Sequence, residues 1–304
     1  MSFSPEKIIK NYPLKELTSF KIGGNAELYY MASTVSELSE AYSYAFSKGI
    51  PVFVLGGGTN LVVSDKGLEG LVLHNKTKDV CELDSEKQRI RLSTGFEFGE
   101  LVEFALDNSF AGAESFAGIP GSIGGAICGN AGAYGQSISD IFLEAEIITP
   151  TGERRIEEKA FFEFSYRNSI LKREPYVVLT ALFQFSSGDL SVLKQRTAEI
   201  IETRKSKHPN KDVGCAGSYF KNLPPQEGMN RRRAAGELLD KLGVKSMTYG
   251  GASVFQNHAN FIINSGQATA ADVKKLASLI KDKVYKETGI RLEEEVKYVG
   301  KFEE

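Results

Sequence analysis

The stretch from Ala117 to Gly135, AGIPGSIGGAICGNAGAYG, holds seven glycines and four alanines in nineteen residues and carries no charged side chain. Glycine loses more backbone entropy on folding than any other residue, so its concentration here indicates that something approaches the backbone too closely for side chains. A second segment, LGGGTNLVVS at 55–64, follows a short apolar run. Neither segment matches the G-x-G-x-x-G dinucleotide motif, and neither is a P-loop, because no Gly-Lys-Ser/Thr occurs.

Two interpretations of the glycine segments stay open. Successive backbone amides without side chains can form a concavity that binds an anion such as a pyrophosphate. Alternatively, the glycines allow tight turns and close strand packing. The occurrence of two such segments in one chain, one of them uncharged over its whole length, favours the anion site.

Composition narrows the class of protein. A length of 304 residues predicts about two domains. A net charge of −2 gives no electrostatic footprint for nucleic acid. The N-terminus MSFSPEKIIKNYPLKEL is charged where a signal peptide is apolar, and no later segment could span a membrane. The three cysteines, Cys81, Cys128 and Cys215, are far apart, which argues against disulfides and a zinc site. We therefore expect a cytoplasmic protein without a bound metal, a membrane contact or a nucleic-acid partner.

The pattern of elements mixes helices and strands. Thr34 and Glu37 predict a capping box for a helix that ends at Gly49, with Phe46 on its apolar face. Residues 71–185 read mainly as strands, with one helix at 98–108 and a hairpin around Pro150 to Gly152. The charged segment KSKHPNKD at 205–212 predicts a domain boundary. Beyond it follow a helix at 234–243, strands, a helix opened by Thr269 and a final strand.

Three polar clusters are candidate sites, although each is weak alone. Arg167 lies in the apolar setting FSYRNSI and could clamp a carboxylate, or be an ordinary strand-edge arginine. Ser218, in GCAGSYFKN, could be a positioned hydroxyl acid, or open a strand. In RLEEEVKYV, a strand would place Glu293 and Glu295 on one face and Glu294 on the other, whereas three consecutive acids are usually a solvated edge.

Taken together, the order of these segments resembles the UDP-N-acetylenolpyruvoylglucosamine reductase (MurB) family, from about Thr18 to Gly300. The most specific parts are IPGSIGGAICGNAGAYG and AGSYFKN. The resemblance implies an α+β fold: an FAD-binding region of the vanillyl-alcohol-oxidase (PCMH) type at 1–207, in subdomains of about 1–70 and 71–207, then a smaller α+β substrate-binding domain at 208–304. The last strand is either part of that domain or returns to the first subdomain.

The resemblance also implies the cofactors and their ligands. FAD is expected as the bound cofactor and NADPH as the hydride donor. The FAD pyrophosphate would lie on the main-chain amides of both glycine segments. The expected FAD-binding residues are Gly56, Gly57, Gly58, Thr59, Asn60, Gly118, Ile119, Pro120, Gly121, Ser122, Gly124, Gly125, Ala126, Asn130 and Gly132. His74, His208 and His258 all lie outside the two segments, so we expect FAD to be non-covalent.

The same resemblance implies a reaction. NADPH would reduce the flavin, and the reduced flavin would pass hydride to C3 of an enolpyruvyl UDP-sugar while Ser218 protonates C2. A serine hydroxyl is a weak acid, so the developing charge needs stabilising groups. Arg167 and Glu295 are the expected ones, with Glu293 as the alternative to Glu295. Lys221 and Asn222 are expected to bind the sugar and phosphates. The short interval between Arg167 and Ser218 matches the family's short form, which lacks a tyrosine-bearing insertion.

The expected function is therefore reduction of UDP-N-acetylglucosamine enolpyruvate to UDP-N-acetylmuramate in peptidoglycan synthesis, by a monomeric flavoprotein of cell wall biogenesis, cell shape and cell division. The alternative is another FAD oxidoreductase of the same fold, acting on a sugar or hydroxy acid.

Overall fold

A computed structural model describes residues 2–229 and 231–302. The chain forms two compact units that are discontinuous in sequence. The first comprises the residues up to Asn11, Glu27–Gly57 and Gly70–Arg204. The second comprises Tyr12–Ala26, Gly58–Glu69 and the chain from Lys205 onward. The units thus differ from the contiguous regions 1–207 and 208–304 expected from the sequence.

Two sheets organise the first unit. One orders its strands Ile9–Pro13, Asn25–Ala32, Leu68–Asn75 and Val52–Leu55, and the last two run parallel. The other is an antiparallel sheet ordered Arg154–Glu158, Phe142–Ile148, Val177–Gln184, Arg89–Ser93 and Cys81–Asp84. Its first two strands are the hairpin predicted around Pro150 to Gly152.

Helices complete the first unit's two cores. Phe98, Leu101, Val102 and Ala105 of the helix Phe98–Asp107 pack in the core of the antiparallel sheet. Short pairs of strands and further helices accompany it: Phe110–Ala111 with Ser186–Ser187, Gly132–Ala133 with Gln136–Ser137, and the helices Val35–Ser47, Ile123–Gly129, Ile138–Ile141 and Leu190–Lys207. The α+β class is thus present within this unit alone.

The helix Val35–Ser47 corrects two details of its prediction. Thr34 caps it by accepting from the Glu37 amide at 3.2 Å, as expected, but the Glu37 carboxylate accepts from Ser33, not from Thr34. Phe46, assigned to the apolar face, is 50% exposed. The buried face ends at Ala45, because Lys48 and Gly49 already turn the chain away.

The second unit is built on a four-stranded sheet and one long helix. The sheet orders Gly214–Cys215, Ile262–Asn264, Ala252–Val254 and Thr248–Tyr249, all antiparallel. The helix Ala270–Thr288 buries Val273, Leu276 and Ile280, and the helix Ala235–Lys241 precedes the sheet's second strand. Thr269 and Asp272 form a complete capping box at the start of the long helix Ala270–Thr288.

Pairing across the sequence explains why the second unit includes early residues. The last strand, Lys297–Val299, runs parallel to Leu61–Val63. Phe20, Ile22 and Val62 lie in the same core as the long helix. These apolar side chains therefore belong to the C-terminal unit, although they precede it by most of the chain.

The described ranges contain neither a membrane-spanning helix nor a cluster of metal-binding side chains. Between residues 2 and 229 and between 231 and 302, no helix is both long and apolar enough to cross a membrane. In the same ranges, no group of three or more His, Cys, Asp or Glu side chains could hold a metal ion.

Candidate functional site

In the first unit the two glycine segments touch each other. A Cβ built on Gly57 would lie 2.7 Å from the Cα of Gly121, and one built on Gly56 would lie 2.2 Å from Ser122 Oγ. Real Cβ atoms do not approach other atoms that closely. The contact at position 57 is with backbone, so packing requires glycine there, whereas at position 56 the close atom is a serine hydroxyl that could rotate. Part of the close approach inferred from the sequence is therefore made by the protein's own backbone.

Other glycines of the 117–135 segment present open backbone. Gly118 and Gly125 are exposed. A Cβ on Gly125 would meet, among the described residues, only Ser122 Oγ at an ordinary 3.5 Å. Packing therefore does not demand glycine at position 125. Its bare amide lies one turn into the helix Ile123–Gly129, where Ser122 Oγ accepts from it at 3.3 Å.

The 117–135 segment is held firmly by the strand and turn before it. The Gly124 amide donates to Thr94 O at 2.9 Å, and Gly121 O accepts from the Phe98 amide at 2.8 Å. Ile123 and Ala126 are buried. The exposed backbone at Gly118 and Gly125 is thus mounted on a fixed frame, which suits a site for an anion.

Asn130 and Gly132, expected as cofactor ligands, have structural tasks. Asn130 is 6% exposed and ends the short helix with φ +42°. Its side chain donates to Ser165 O at 3.0 Å and accepts from the Ser139 amide at 3.2 Å. A Cβ on Gly132 would lie 2.1 Å from Gln136 O, so strand pairing requires glycine there. Both residues shape the segment from within.

Arg167 lies at the tip of a tight turn. Ser165 and Asn168 exchange two backbone hydrogen bonds of 3.1 Å, with Tyr166 and Arg167 between them. Arg167 has φ +55°, an uncommon value for a residue with a side chain. Its Nη2 donates to Gly132 O at 2.9 Å, and its guanidinium lies 5.2 Å from the Tyr166 ring centroid. The turn thus brings the arginine onto the glycine-rich segment.

In the second unit, the rest of the first glycine loop is tied to the chain's ends. Gly58 has φ +64°, and a Cβ there would lie 2.1 Å from Leu17 O. Asn60 Nδ2 donates to Glu295 O at 3.1 Å, and Asn60 O accepts from the Lys297 amide at 3.0 Å. Thr59, half-buried, lies between them. Asn60 therefore lies directly against the backbone of Glu295.

Ser218 lies beside the C-terminal glutamates. Ser218 is half-buried and follows Gly217, whose φ is +74°. Immediately after it, Phe220 pairs antiparallel with Glu294. The Glu295 amide donates to Tyr219 O and the Lys221 amide to Glu293 O, both at 2.8 Å. The structure thus aligns the residues that follow Ser218 with Glu293, Glu294 and Glu295.

The three glutamates have different surroundings. The Glu293 side chain is 74% exposed and forms an ion pair of 3.1 Å with Lys221. Glu294 accepts from Tyr298 Oη at 3.2 Å and lies 3.6 Å from Lys281 Nζ. Glu295 is half-buried, beside the start of the only regular strand in this segment, Lys297–Val299. The alternation predicted for a regular strand over 293–295 is replaced by a single bridge at Glu294.

The remaining predicted substrate residues form a local network. Lys221 carries the ion pair to Glu293. Asn222 Oδ1 accepts from the Ala235 amide at 3.2 Å, at the start of the helix Ala235–Lys241. Arg232 donates to Asn222 O through Nε and Nη2, at 3.0 and 2.8 Å. The arginine run at 231–233 thus includes a residue that supports Asn222.

The structure also identifies residues near the glycine segments that the motifs did not indicate. His74 is 5% exposed, and its Nδ1 lies 2.9 Å from Tyr29 Oη. Its ring also hydrogen-bonds the Gly56 backbone, and burial lowers the pKa of His74 to about 4. In sequence this histidine lies outside both glycine segments, yet in space it supports one of them.

Arg204 is the second such residue. Its Cδ lies 3.0 Å from where a Cβ on Gly118 would be, and its guanidinium lies 6.0 Å from the Tyr134 ring centroid. Burial lowers the pKa of this guanidinium, and Arg167 lowers it further. A half-buried guanidinium beside Gly118 gives this segment a positive environment, which favours an anion there. Position 204, at the end of a charged helix, gave no signal of this in the sequence.

Comparison with known proteins gives two family matches. The profile of the FAD binding domain matches residues 26–156, and that of the UDP-N-acetylenolpyruvoylglucosamine reductase C-terminal domain matches residues 208–299. The first match confirms the predicted α+β FAD-binding fold.

Two relatives and one solved structure are similar to this chain over nearly its whole length. UDP-N-acetylenolpyruvoylglucosamine reductase of Syntrophomonas wolfei is 37% identical over 301 residues, covering 97% of this chain and 96% of that protein. The Listeria welshimeri enzyme is 36% identical, covering 95% and 94%. The crystal structure of UDP-N-acetylenolpyruvylglucosamine reductase from Thermus caldophilus aligns with a TM-score of 0.79 and 29% identity, over 96% of this chain and 98% of that one. On this similarity over nearly its whole length, the chain belongs to the UDP-N-acetylenolpyruvoylglucosamine reductase family.

Proposed function

We propose that this protein reduces UDP-N-acetylglucosamine enolpyruvate to UDP-N-acetylmuramate with NADPH and FAD, in peptidoglycan synthesis. Family membership supports the reaction. The observation that carries it to particular residues is the pairing of the segment after Ser218 with Glu293–Glu295. The residues that follow Ser218, the proposed proton donor, thus pair with the backbone that carries the carboxyl groups of Glu293–Glu295.

The residues of the first unit fit FAD. Gly118 and Gly125 present exposed backbone on a fixed frame, and Arg204 adds positive charge beside Gly118. Gly56 and Gly57, packed on Gly121 and Ser122, hold the two segments together. When bound, FAD supplies the capacity to take a hydride from NADPH and give it to the substrate's double bond. The attachment is predicted to be non-covalent.

Ser218 Oγ is proposed to donate the proton to C2 of the enolpyruvyl group. A hydroxyl is a weak acid at neutral pH, so its proton transfer depends on groups that stabilise the charge developing on the substrate carboxylate. The positive φ of Gly217 and the buried Tyr219 fix the backbone on either side of Ser218. The backbone position of Ser218 is thus set by its two neighbours.

Arg167 is proposed to bind the substrate carboxylate. A guanidinium presents several N–H donors in one plane, a geometry that matches the two oxygens of a carboxylate. The strained turn and the bond to Gly132 O orient the guanidinium before substrate arrives. We expect its loss to affect the substrate reaction more than the NADPH reaction.

Glu295 is proposed as the acid that donates to the enolate oxygen, directly or through water. Glu295 is half-buried and its amide donates to Tyr219 O, next to Ser218, whereas the Glu293 side chain is 74% exposed and paired with Lys221. This burial beside the serine segment favours Glu295 over the alternative, Glu293. Lys221 and Asn222 remain the predicted contacts to the sugar and phosphates, and a cytoplasmic, monomeric protein remains a prediction.

An anaerobic two-step spectrum tests the proposal. The flavin absorbance of the purified protein should bleach with NADPH and return on addition of UDP-N-acetylglucosamine enolpyruvate. In Ser218→Ala the bleaching should persist at the wild-type rate, while the return should slow by roughly a hundredfold or more, the usual contribution of a general acid. Ser246→Ala, an exposed serine that bonds Gly243 O, is the matched control.

Each outcome has a definite meaning. Bleaching without return in the wild type would remove this substrate and support another FAD oxidoreductase of the same fold. A normal return in Ser218→Ala would remove Ser218 from the proton transfer. In Arg167→Ala, equal slowing of both steps would make the arginine structural.

A further inference from the structure

Asn260 is buried, with 3% of its surface exposed, and lies in the segment FQNHANFIIN between two strands of the second unit's sheet. Burying a carboxamide is costly unless its donors and acceptors are all satisfied. The family resemblance assigns no role to this residue. The groups that its carboxamide bonds therefore indicate what it does.

The Asn260 side chain bonds both backbone groups of one residue, Phe220, in the segment that follows Ser218. Asn260 Oδ1 accepts from the Phe220 amide at 2.9 Å, and Asn260 Nδ2 donates to Phe220 O at 2.8 Å. A side-chain amide that bonds both groups of one residue imitates the pairing of a neighbouring strand. Phe220 is thereby fixed along this edge.

The Asn260 backbone extends the same pairing by one residue. Asn260 O accepts from the Tyr219 amide at 2.8 Å. On the opposite edge, Tyr219 O accepts from the Glu295 amide at 2.8 Å. A continuous line of hydrogen bonds thus runs from Asn260 through the residue after Ser218 to the backbone of Glu295.

Asn260 is itself anchored by a histidine. The Asn260 backbone amide donates to His258 Nδ1 at 3.2 Å, which requires that nitrogen to be unprotonated. Burial lowers the pKa of His258, so its ring remains neutral at neutral pH. The ring also lies against Gly236, where a Cβ would be 2.9 Å from His258 Cε1. The anchor is therefore packed as well as bonded.

We propose that Asn260 is a positioning residue for the proton transfer, holding Ser218 and Glu295 in register by fixing the Tyr219–Phe220 backbone between them. The inference rests on the proposed function. In this proposal Asn260 contacts neither substrate nor flavin and acts only through the Tyr219–Phe220 segment that it bonds. Its loss should therefore slow the proton-transfer half of the reaction and spare the reduction by NADPH.

The test measures both half-reactions by stopped-flow on the FAD-loaded enzyme. In Asn260→Ala, flavin reduction by NADPH should stay within about twofold of wild type, whereas reoxidation by UDP-N-acetylglucosamine enolpyruvate should slow roughly tenfold or more. Asn260→Asp keeps the size and the acceptor for Phe220 and loses the amide donor. This variant carries the test if the alanine variant does not fold.

Asn264→Ala is the matched control. Asn264 also bonds backbone groups, accepting from the Gly266 and Ala268 amides at 3.0 Å, but it makes none of the bonds described here to Tyr219 or Phe220. A role confined to stability predicts that both asparagine variants slow both steps alike. A selective effect on reoxidation in Asn260→Ala, absent from Asn264→Ala, supports positioning.

A double-variant cycle separates this inference from the proposed function. If Asn260 acts through Ser218, adding Asn260→Ala to Ser218→Ala should slow reoxidation by less than about twofold. Multiplicative slowing in that background, or equal slowing of both half-reactions by Asn260→Ala, would overturn the inference. A normal rate in Ser218→Ala alone would instead overturn the proposed role of the serine.

Discussion

His74 makes the stability of this protein depend on pH in a calculable way. Its pKa is about 4 in the folded chain because burial disfavours the charged ring, against an ordinary value of 6.5. Between these values the unfolded chain binds a proton that the folded chain does not, so stability falls as the pH is lowered from about 6.5 to about 4. At about 1.4 kcal/mol per pKa unit, the loss approaches about 3 kcal/mol below pH 4.

Protonation of His74 should disturb the glycine loop at Gly56. His74 Nδ1 faces Tyr29 Oη at 2.9 Å while the ring bonds the Gly56 backbone. Once protonated, the ring carries hydrogen on both nitrogens, so the Tyr29 hydroxyl can only accept from Nδ1 and must orient accordingly. We therefore expect affinity for FAD to weaken over the same pH range.

Two measurements check this argument. Urea unfolding of wild type and His74→Gln from pH 7 to pH 4 should show a difference in unfolding free energy that shrinks by about 3 kcal/mol as the pH falls. Titration of the imidazole Cε1 protons by NMR should show one signal, missing in the variant, with a pKa near 4. A constant difference between the two proteins, or a His74 pKa near 6.5, would refute the reasoning.

Two further variants test the frame of the site and of the second unit. Gly57→Ala puts a Cβ 2.7 Å from Gly121 Cα, so FAD affinity, followed by flavin fluorescence, should drop roughly tenfold or more, which corresponds to about 1.4 kcal/mol. Gly99→Ala, where a Cβ would meet nothing within 4 Å, is its control, and an equal drop there would exclude loop contact as the cause. Thr269→Ala removes the hydroxyl that accepts from the Asp272 amide at 3.0 Å, and urea unfolding should show a loss of about 1 kcal/mol. An unchanged midpoint would mean that the cap does not limit the unit's stability.

Local chemistry made much of this fold predictable. The helix start at Thr269, the turn at Pro150 to Gly152 and the apolar strands all depend on a few neighbouring residues, and each lies where the sequence predicted it. The glycine segments were recognised for the same reason. Their composition violates the entropic preference of an ordinary loop, so some close approach had to explain it.

The rest depends on contacts between residues far apart in sequence. Nothing near Gly57 indicates that Gly121 lies against it, and nothing near His74 indicates that its ring supports Gly56. Likewise, Phe20 and Val62 read as residues of an N-terminal region, but they pack with the long C-terminal helix. Hydrophobic periodicity identifies a buried face without naming the partner that buries it.

The parallel pairing of Leu61–Val63 with Lys297–Val299 has a consequence for synthesis on the ribosome. Ser64, which follows the first of these strands, extends the pairing: its amide donates to Val299 O and its hydroxyl donates to Lys301 O. These early residues cannot complete their hydrogen bonds until nearly the whole chain has been translated and released. The second unit must therefore fold after translation, with its N-terminal segments kept waiting, and premature termination shortly before Lys297 would leave a strand edge exposed to aggregation.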